Sequence, residues 1–204
     1  MKKNVILLLL IFVIVQLLAY DVHAKGVKGG INFANFSSAE EDDLESKAGL
    51  ILGGFVTYIV NDQFSFQPEI YFTMKGAKSE WGYGYEYKDT FKLNYFEVPF
   101  LGVMNIPVEA SFAPKLFFGP ALGVNLSATY KIEWEYTYDG ETESGSENGD
   151  LDEIIPIEFG LIFGGTIEFE KIVFDLRYNM GLTDILDYCS SKNRVFSILL
   201  GYKF

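Results

Sequence analysis

Between Phe64 and Gly76 the chain alternates without a break. Phe64, Phe66, Pro68, Ile70, Phe72 and Met74 fall on one side, and Ser65, Gln67, Glu69, Tyr71, Thr73 and Lys75 on the other. A period of two is the mark of a β-strand, whose successive side chains point to opposite faces. The run is longer than the usual strand of a globular protein and exceeds the ~9–11 residues that carry a tilted strand across a bilayer. The same division returns three times. Leu116, Phe118, Leu122 and Leu126 oppose Lys115, Gly119, Gly123 and Asn125; Ile157, Phe159, Phe163 and Phe169 oppose Glu158, Gly160, Gly164 and Glu168; Ile172, Phe174, Leu176 and Met180 oppose Asp175, Arg177 and Asn179. One face is bulky and apolar each time, and the other is mostly small, polar or charged.

Weaker alternation at 26–36, 48–60 and 91–106, with a C-terminal run at 194–204, brings the expected strand count to eight. The connections alternate in length. Asn61–Gln63, Pro107–Pro114 and Glu170–Lys171 are short or moderate, whereas Ser37–Lys47, Ala77–Thr90, the stretch from about Tyr130 to Glu153, and Thr183–Asn193 are long and mostly polar. An up-and-down sheet places alternate connections at opposite ends, and short turns on one side with long loops on the other is the asymmetry of outer-membrane barrels. The pattern therefore predicts an all-β fold, an eight-stranded antiparallel up-and-down transmembrane β-barrel, with both termini at the periplasmic, short-turn end. A soluble lipocalin-like barrel alternates too. The small residues of the polar face suit a narrow lumen and the Phe, Leu and Ile of the other face suit lipid, which favours the membrane.

Composition adds to this picture. Aromatic residues make up 17% of the chain and glycine contributes 20 residues, yet past the N-terminus no apolar run is long enough for a transmembrane helix. Residues 1–24 read as a signal peptide: basic Lys2 and Lys3, an apolar run from Val5 to Ala19 interrupted only by Gln16, and Ala24 at the cleavage point. Residues 25–204 are then the barrel domain. Cleavage removes Lys2, Lys3 and Asp21 and takes the net charge from −12 to −13. Such a surface, with no basic stripe, predicts no nucleic-acid partner. Outer-membrane lipid is the expected environment.

Candidate chemistry is sparse. The one histidine, His23, lies in the leader, and the one cysteine, Cys189, sits in a loop without an evident base. No phosphate-binding glycine loop or zinc spacing appears. The expectation is a protein that is not an enzyme and has no cofactor and no metal. By parity, Glu69, Glu97, Glu158, Glu168 and Asp175 share the lumen with Lys75, Lys115, Arg177 and Lys203. Eight strands leave room for side chains but for no wide channel, and opposite charges confined there pair, because an unpaired buried charge is costly. A structural ion-pair plug is the first reading of these residues, and a gated proton or ion path is the second.

The long loops are acidic. Glu40 to Glu45 crowd the first, and the third holds Asn148, Asp150 and Asp152 at alternating spacing, although Glu153 stands where an EF-type Ca²⁺ loop needs glycine. In the second, Trp81, Tyr83, Tyr85 and Tyr87 suggest a strand running past the membrane, its aromatics part of an interfacial girdle or of a partner-binding rim.

Two segments, "LNYFEVP" at 93–99 and "RYNMGLTDI" at 177–185, resemble the PorT-like outer-membrane β-barrel family of Bacteroidetes, small barrels of the OmpA/OmpX kind, as do "GVKGGINFANFS" and "FGPALGV". The likeness covers nearly all of residues 25–204. It implies an eight-stranded barrel whose name-giving member is associated with type IX protein secretion, so envelope or secretion-system proteins are implied partners. The last strand, Phe196 to Phe204, ends in an aromatic and resembles the signal read by barrel-assembly machinery, with Tyr202 and Phe204 as the residues read. Structural or partner-binding work through the external loops, an accessory role in secretion, and a narrow pore remain the three functional readings.

Overall fold

The computed structural model describes residues 22–38, 44–82, 85–138, 141–151, 154–187 and 190–204. Residues 1–21 of the expected leader, most of the first acidic loop, Tyr83, Asp152, Glu153 and Cys189 lie outside the described residues. Nine strands form: β1 (Ala24–Ser38), β2 (Leu44–Ile59), β3 (Phe64–Trp81), β4 (Tyr85–Asn105), β5 (Ala113–Tyr138), β6 (Glu141–Asp150), β7 (Ile157–Phe169), β8 (Ile172–Gly181) and β9 (Ser191–Lys203). Each pairs antiparallel with its neighbours. The order β4-β3-β2-β1-β9-β8-β7-β5, together with the β4–β5 pairing, closes eight of them into a ring. At the seam the last strand meets the first, with Phe33 opposite Phe196 and Gly29 opposite Leu200. Closure leaves no open edge within the wall, the one condition under which strands survive in hydrocarbon.

Burial follows the alternation with the sense of a water-soluble protein reversed. Leu52 is 64% exposed, Phe118 56% and Leu200 62%, while Lys28, Glu69 and Asp175 are at most 2% exposed. In water so large an apolar exterior would drive association; lipid is the solvent that it fits. The turns at the short-loop end have local causes. Asn61 Oδ1 accepts from the amides of Gln63 (3.0 Å) and Phe64 (2.9 Å), which closes the β2–β3 turn. Between β7 and β8, Glu170 carries a φ of 51°, a left-handed backbone that strains a side chain with a Cβ.

The ring has the eight strands expected, and the ninth, β6, lies outside it. The stretch from Tyr130 to Glu153 is largely no loop: β5 continues to Tyr138 and turns into β6, which pairs only with residues 129–138 of β5, outside the ring. Likewise Ala77–Thr90 is mostly strand, since β3 and β4 stay paired up to Trp81 opposite Tyr87. The physical cause of the first is visible in the register. Trp134 stands opposite Gly145 and Tyr130 opposite Gly149, and a Cβ on Gly145 would lie 2.3 Å from the Trp134 ring. Each aromatic lies flat over a residue without a side chain, so a strand with no apolar residue of its own is held by its partner's rings.

Candidate functional site

The lumen is filled from wall to wall by three groups of charged side chains. Nearest the short-turn end, Glu168 on β7 lies between Lys115 on β5 (2.8 Å) and Lys203 on β9. Further in, Lys28 on β1, Glu69 on β3, and Asp175 and Arg177 on β8 form a closed, charge-balanced ring. Lys28 Nζ donates to Glu69 and to Asp175, both at 2.8 Å. Arg177 donates through Nη1 to Glu69 (2.7 Å) and through Nε and Nη2 to both oxygens of Asp175 (2.8 and 2.7 Å). The guanidinium also sits between the rings of Tyr71 and Phe117, 5.2 Å from each centroid, and the Lys28 amine lies 4.7 Å from that of Phe55. Charge, planar donors and aromatic faces are thus all satisfied at once, as burial of ions demands.

The third group lies towards the long-loop end and is not balanced. Lys75 on β3 donates to Glu97 on β4 (2.6 Å) and to Glu158 on β7 (3.1 Å), one amine between two carboxylates. Two asparagines make up the difference with amide protons: Asn179 donates to Glu97 (2.9 Å) and Asn193 to Glu158 (3.1 Å). Between the groups runs a neutral layer in which Ser197 donates to Asn32 and Asn32 to Thr73.

All nine of the residues assigned to the lumen by parity take part in these groups. Lys28, Asn179 and Asn193 were not among them. Lys28 was hidden by glycines: with Gly26, Gly29 and Gly30 around it, β1 alternates weakly. Its spacing of four from Asn32 on the same face was the available signal. Tyr202 and Phe204 are exposed at the rim, and the Phe204 amide donates to the Lys25 carbonyl across the seam (3.0 Å). The alternating Asn148 and Asp150 lie on the extended strand β6, opposite Lys131 and Thr129. No group of three metal-ligating side chains occurs among the described residues.

Above the third group the lumen is sealed by apolar side chains. Leu93 and Tyr95 of β4 pack on Ile185 of the β8–β9 connection, with Phe36, Ala128, Leu151, Ile154 and Leu186 against them. Backbone bonds pin this cap: Ile155 donates to Ile185 (2.9 Å) and Ile185 to Ser191 (2.7 Å). Asp184 accepts from Lys192 at 2.9 Å, and this donation holds its carboxyl below the usual aspartate range. Beyond the cap, β3, β4, β5 and β6 rise as a free-standing sheet. Its axis side carries Tyr87, Phe91, Tyr130, Ile132 and Trp134, and its outer side carries Glu86, Lys88, Glu133 and Glu135.

The barrel fold has counterparts among known proteins. The family described as "outer membrane protein beta-barrel domain" matches residues 24–187, and the chain belongs to that family. No curated protein matches the sequence. Among solved structures, the attachment invasion locus protein Ail of Yersinia pestis, crystallised with the heparin analogue sucrose octasulfate, is 16% identical, with 89% of this chain and 98% of that one covered at a TM-score of 0.46. Neisserial surface protein A is 13% identical, with coverage of 88% and 97% and a TM-score of 0.47. OprG of Pseudomonas aeruginosa is 13% identical, with coverage of 91% and 97% and a TM-score of 0.45.

Proposed function

We propose that this outer-membrane barrel is neither a catalyst nor a conduit, and that its work is partner binding by the sheet standing beyond the membrane. The observation that supports this reading is the filled lumen: three ionic groups and an apolar cap occupy its length, while β5 and β6 extend well past the wall. A barrel of eight strands has little interior to spare, and here that interior is taken up by side chains that bond one another across the lumen. Among the described residues no histidine lies in the lumen or on the sheet, so neither region offers the usual general base. Residues 1–24 act in this reading as a cleaved export signal, both termini lie in the periplasm, and Tyr202 and Phe204 serve recognition by barrel-assembly machinery.

Two measurements test the proposal. In planar bilayers the purified protein is expected to give no conductance steps; regular single-channel currents would overturn the closed-lumen reading in favour of a pore. Cross-linking in intact outer membranes is expected to capture a protein partner through the sheet of β3 to β6, and loss of that partner on deleting residues 130–150 would place the contact.

A second reading, an accessory role in type IX secretion, is supported by the two segments that resemble the PorT-like family. Those segments meet in space: Glu97 bonds Asn179, and Leu93 and Tyr95 pack on Ile185. Their likeness therefore has a sufficient cause in the lumen seal. Failed export of secreted proteins in a deletion strain would favour the secretion role, and normal export would remove it.

A further inference from the structure

The wall of the barrel has no open edge, but the sheet beyond it has one. β6 pairs with β5 on one side and, among the described residues, with no strand on the other. In an antiparallel ladder, alternate residues turn their N–H and C=O groups towards the partner and the rest turn theirs away. The phase is fixed here by the bond from the Leu151 amide to the Ala128 carbonyl (3.0 Å), which continues the register of Thr129 opposite Asp150. Counting from it, Gly149, Glu147, Gly145, Glu143 and Glu141 bond β5, while Thr142, Ser144, Ser146 and Asn148 direct their backbone groups outward. All of β6 except its two glycines is exposed, so these groups meet water and not another element.

A free edge is a template for another strand, and proteins blunt it with proline, lysine, bulges or very short length. β6 uses none of these: it runs from Glu141 to Asp150 in unbroken register, with no proline and no lysine. Tyr130 and Trp134, lying over Gly149 and Gly145, hold it against β5. The edge is therefore formed in advance, which lowers the ordering cost of binding. What it carries is negative charge. Glu141, Glu143 and Glu147 stand on its axis face and Asp150 on the other. The lysines nearby are engaged elsewhere, Lys88 with Glu80 and Lys131 with Glu133, and Glu143 and Glu147 accept only from the hydroxyls of Tyr136 and Tyr130. Like charges facing one another across a ladder repel and unlike charges attract. A second copy of β6 is thus a poor match, and a basic strand a good one. Antiparallel addition would put Glu141, Glu143 and Glu147 in the closer, non-hydrogen-bonded pairs, where facing side chains lie nearest.

We propose that the free edge of β6 takes up an extended basic segment of a partner protein as a further strand, with lysines or arginines at alternate positions facing Glu141, Glu143 and Glu147. Backbone bonds from Thr142, Ser144, Ser146 and Asn148 supply affinity, and the acidic row selects the charge of the segment. This inference rests on the partner-binding role of the external sheet, and adds which part of the sheet binds and what it takes.

The test uses the refolded full-length chain in non-ionic detergent and two labelled ten-residue peptides, read by fluorescence anisotropy. One alternates lysine with threonine. The other alternates lysine with proline, which keeps the charge and removes the amides that would meet β6. The lysine–threonine peptide is expected to bind, and E141Q/E143Q/E147Q to weaken its binding roughly tenfold. S144P/S146P removes two outward amides without touching the bonds to β5, as an edge strand tolerates, and is expected to abolish binding. Equal binding of the two peptides by the unmodified chain would reduce the effect to charge alone and overturn strand addition, a comparison that needs no variant to fold. No binding of the lysine–threonine peptide would overturn it too. In cross-linked outer membranes, capture of one partner by S144P/S146P and the unmodified chain alike would overturn the edge and leave the sheet as the binding surface. Capture of no partner by the unmodified chain would overturn both readings.

Discussion

Below Leu93, β4 turns Tyr95, Glu97 and Leu101 inward and presents Phe96 and Phe100 to lipid. Above it, Tyr87 and Phe91 face the axis, while Glu86, Lys88 and Lys92 face outward. Against β3 the strand keeps its register across this boundary, and against β5 the pairing shifts by one residue between Asn94 and Tyr95. Within the membrane the wall is coated by apolar side chains and held from inside by ions. Beyond it, aromatic rings lying on glycines hold the sheet from the axis side, and charges meet water. One alternating backbone thus serves two environments by exchanging the chemistry of its faces.

The largest effect should come from the charge-balanced ring. Arg177→Ala leaves Glu69 and Asp175 with one cation between them and should destabilise the barrel by ~3–5 kcal/mol, seen as a lower midpoint of heat denaturation on gel mobility. Replacing the whole ring by neutral residues of similar volume (Lys28→Met, Glu69→Gln, Asp175→Asn and Arg177→Met together) should recover most of that loss. A quadruple variant no better than Arg177→Ala would show that the ring's charges, not merely their mutual balance, stabilise the wall.

Trp134→Ala probes the other region. It should loosen the β5–β6 pairing by about 1 kcal/mol and speed amide exchange across residues 141–150 while leaving the barrel midpoint unchanged. A drop in that midpoint would mean that the two regions are one cooperative unit. At the opposite rim, Glu170→Gly relieves the left-handed backbone of the β7–β8 turn and should raise stability by up to about 1 kcal/mol, which denaturant titration of the refolded protein would register.

The smallest expected effect is electrostatic. The Asp184 carboxyl is held below its ordinary value of 3.8 by Lys192, so its contribution to the cap is present above that value and is lost as pH falls through the lower, folded one. Amide exchange at Ile185, corrected for its intrinsic pH dependence, should therefore quicken below pH 3.8. A Lys192→Gln variant should show the faster exchange already at neutral pH.

The same exchange of faces explains what could be read from the chain. Where lipid is the solvent, the run from Phe64 to Met74 and the closing strand from Phe196 are legible, because apolar and polar residues alternate with one constant sense. Nine inward charges followed from that parity alone. At Ala77–Thr90 and Tyr130–Glu153 the sense reverses, and stretches rich in Glu, Ser and Gly look like loops when strands are sought by an apolar outer face. Yet Tyr85 and Tyr87, like Trp134 and Tyr136, keep the period of two. The cap was illegible for another reason: Ile185 is a lone apolar residue in a polar connection, and only the closed ring brings it over Leu93 and Tyr95.

The charge-balanced ring also constrains how the chain can enter the membrane. Lys28 and Asp175 are 147 residues apart, and Glu69 and Arg177 are 108 apart. No single hairpin contains both members of either pair. Asp175 and Arg177 travel matched on β8, but a β1–β2 hairpin inserted alone would carry Lys28 into hydrocarbon without its carboxylates, at a cost of several kcal/mol. Stepwise insertion climbs in free energy until the first and last strands are both in place. Crossing the bilayer and closing the cylinder then become a single, late and cooperative event, with its barrier set by long-range encounter rather than by the formation of individual turns.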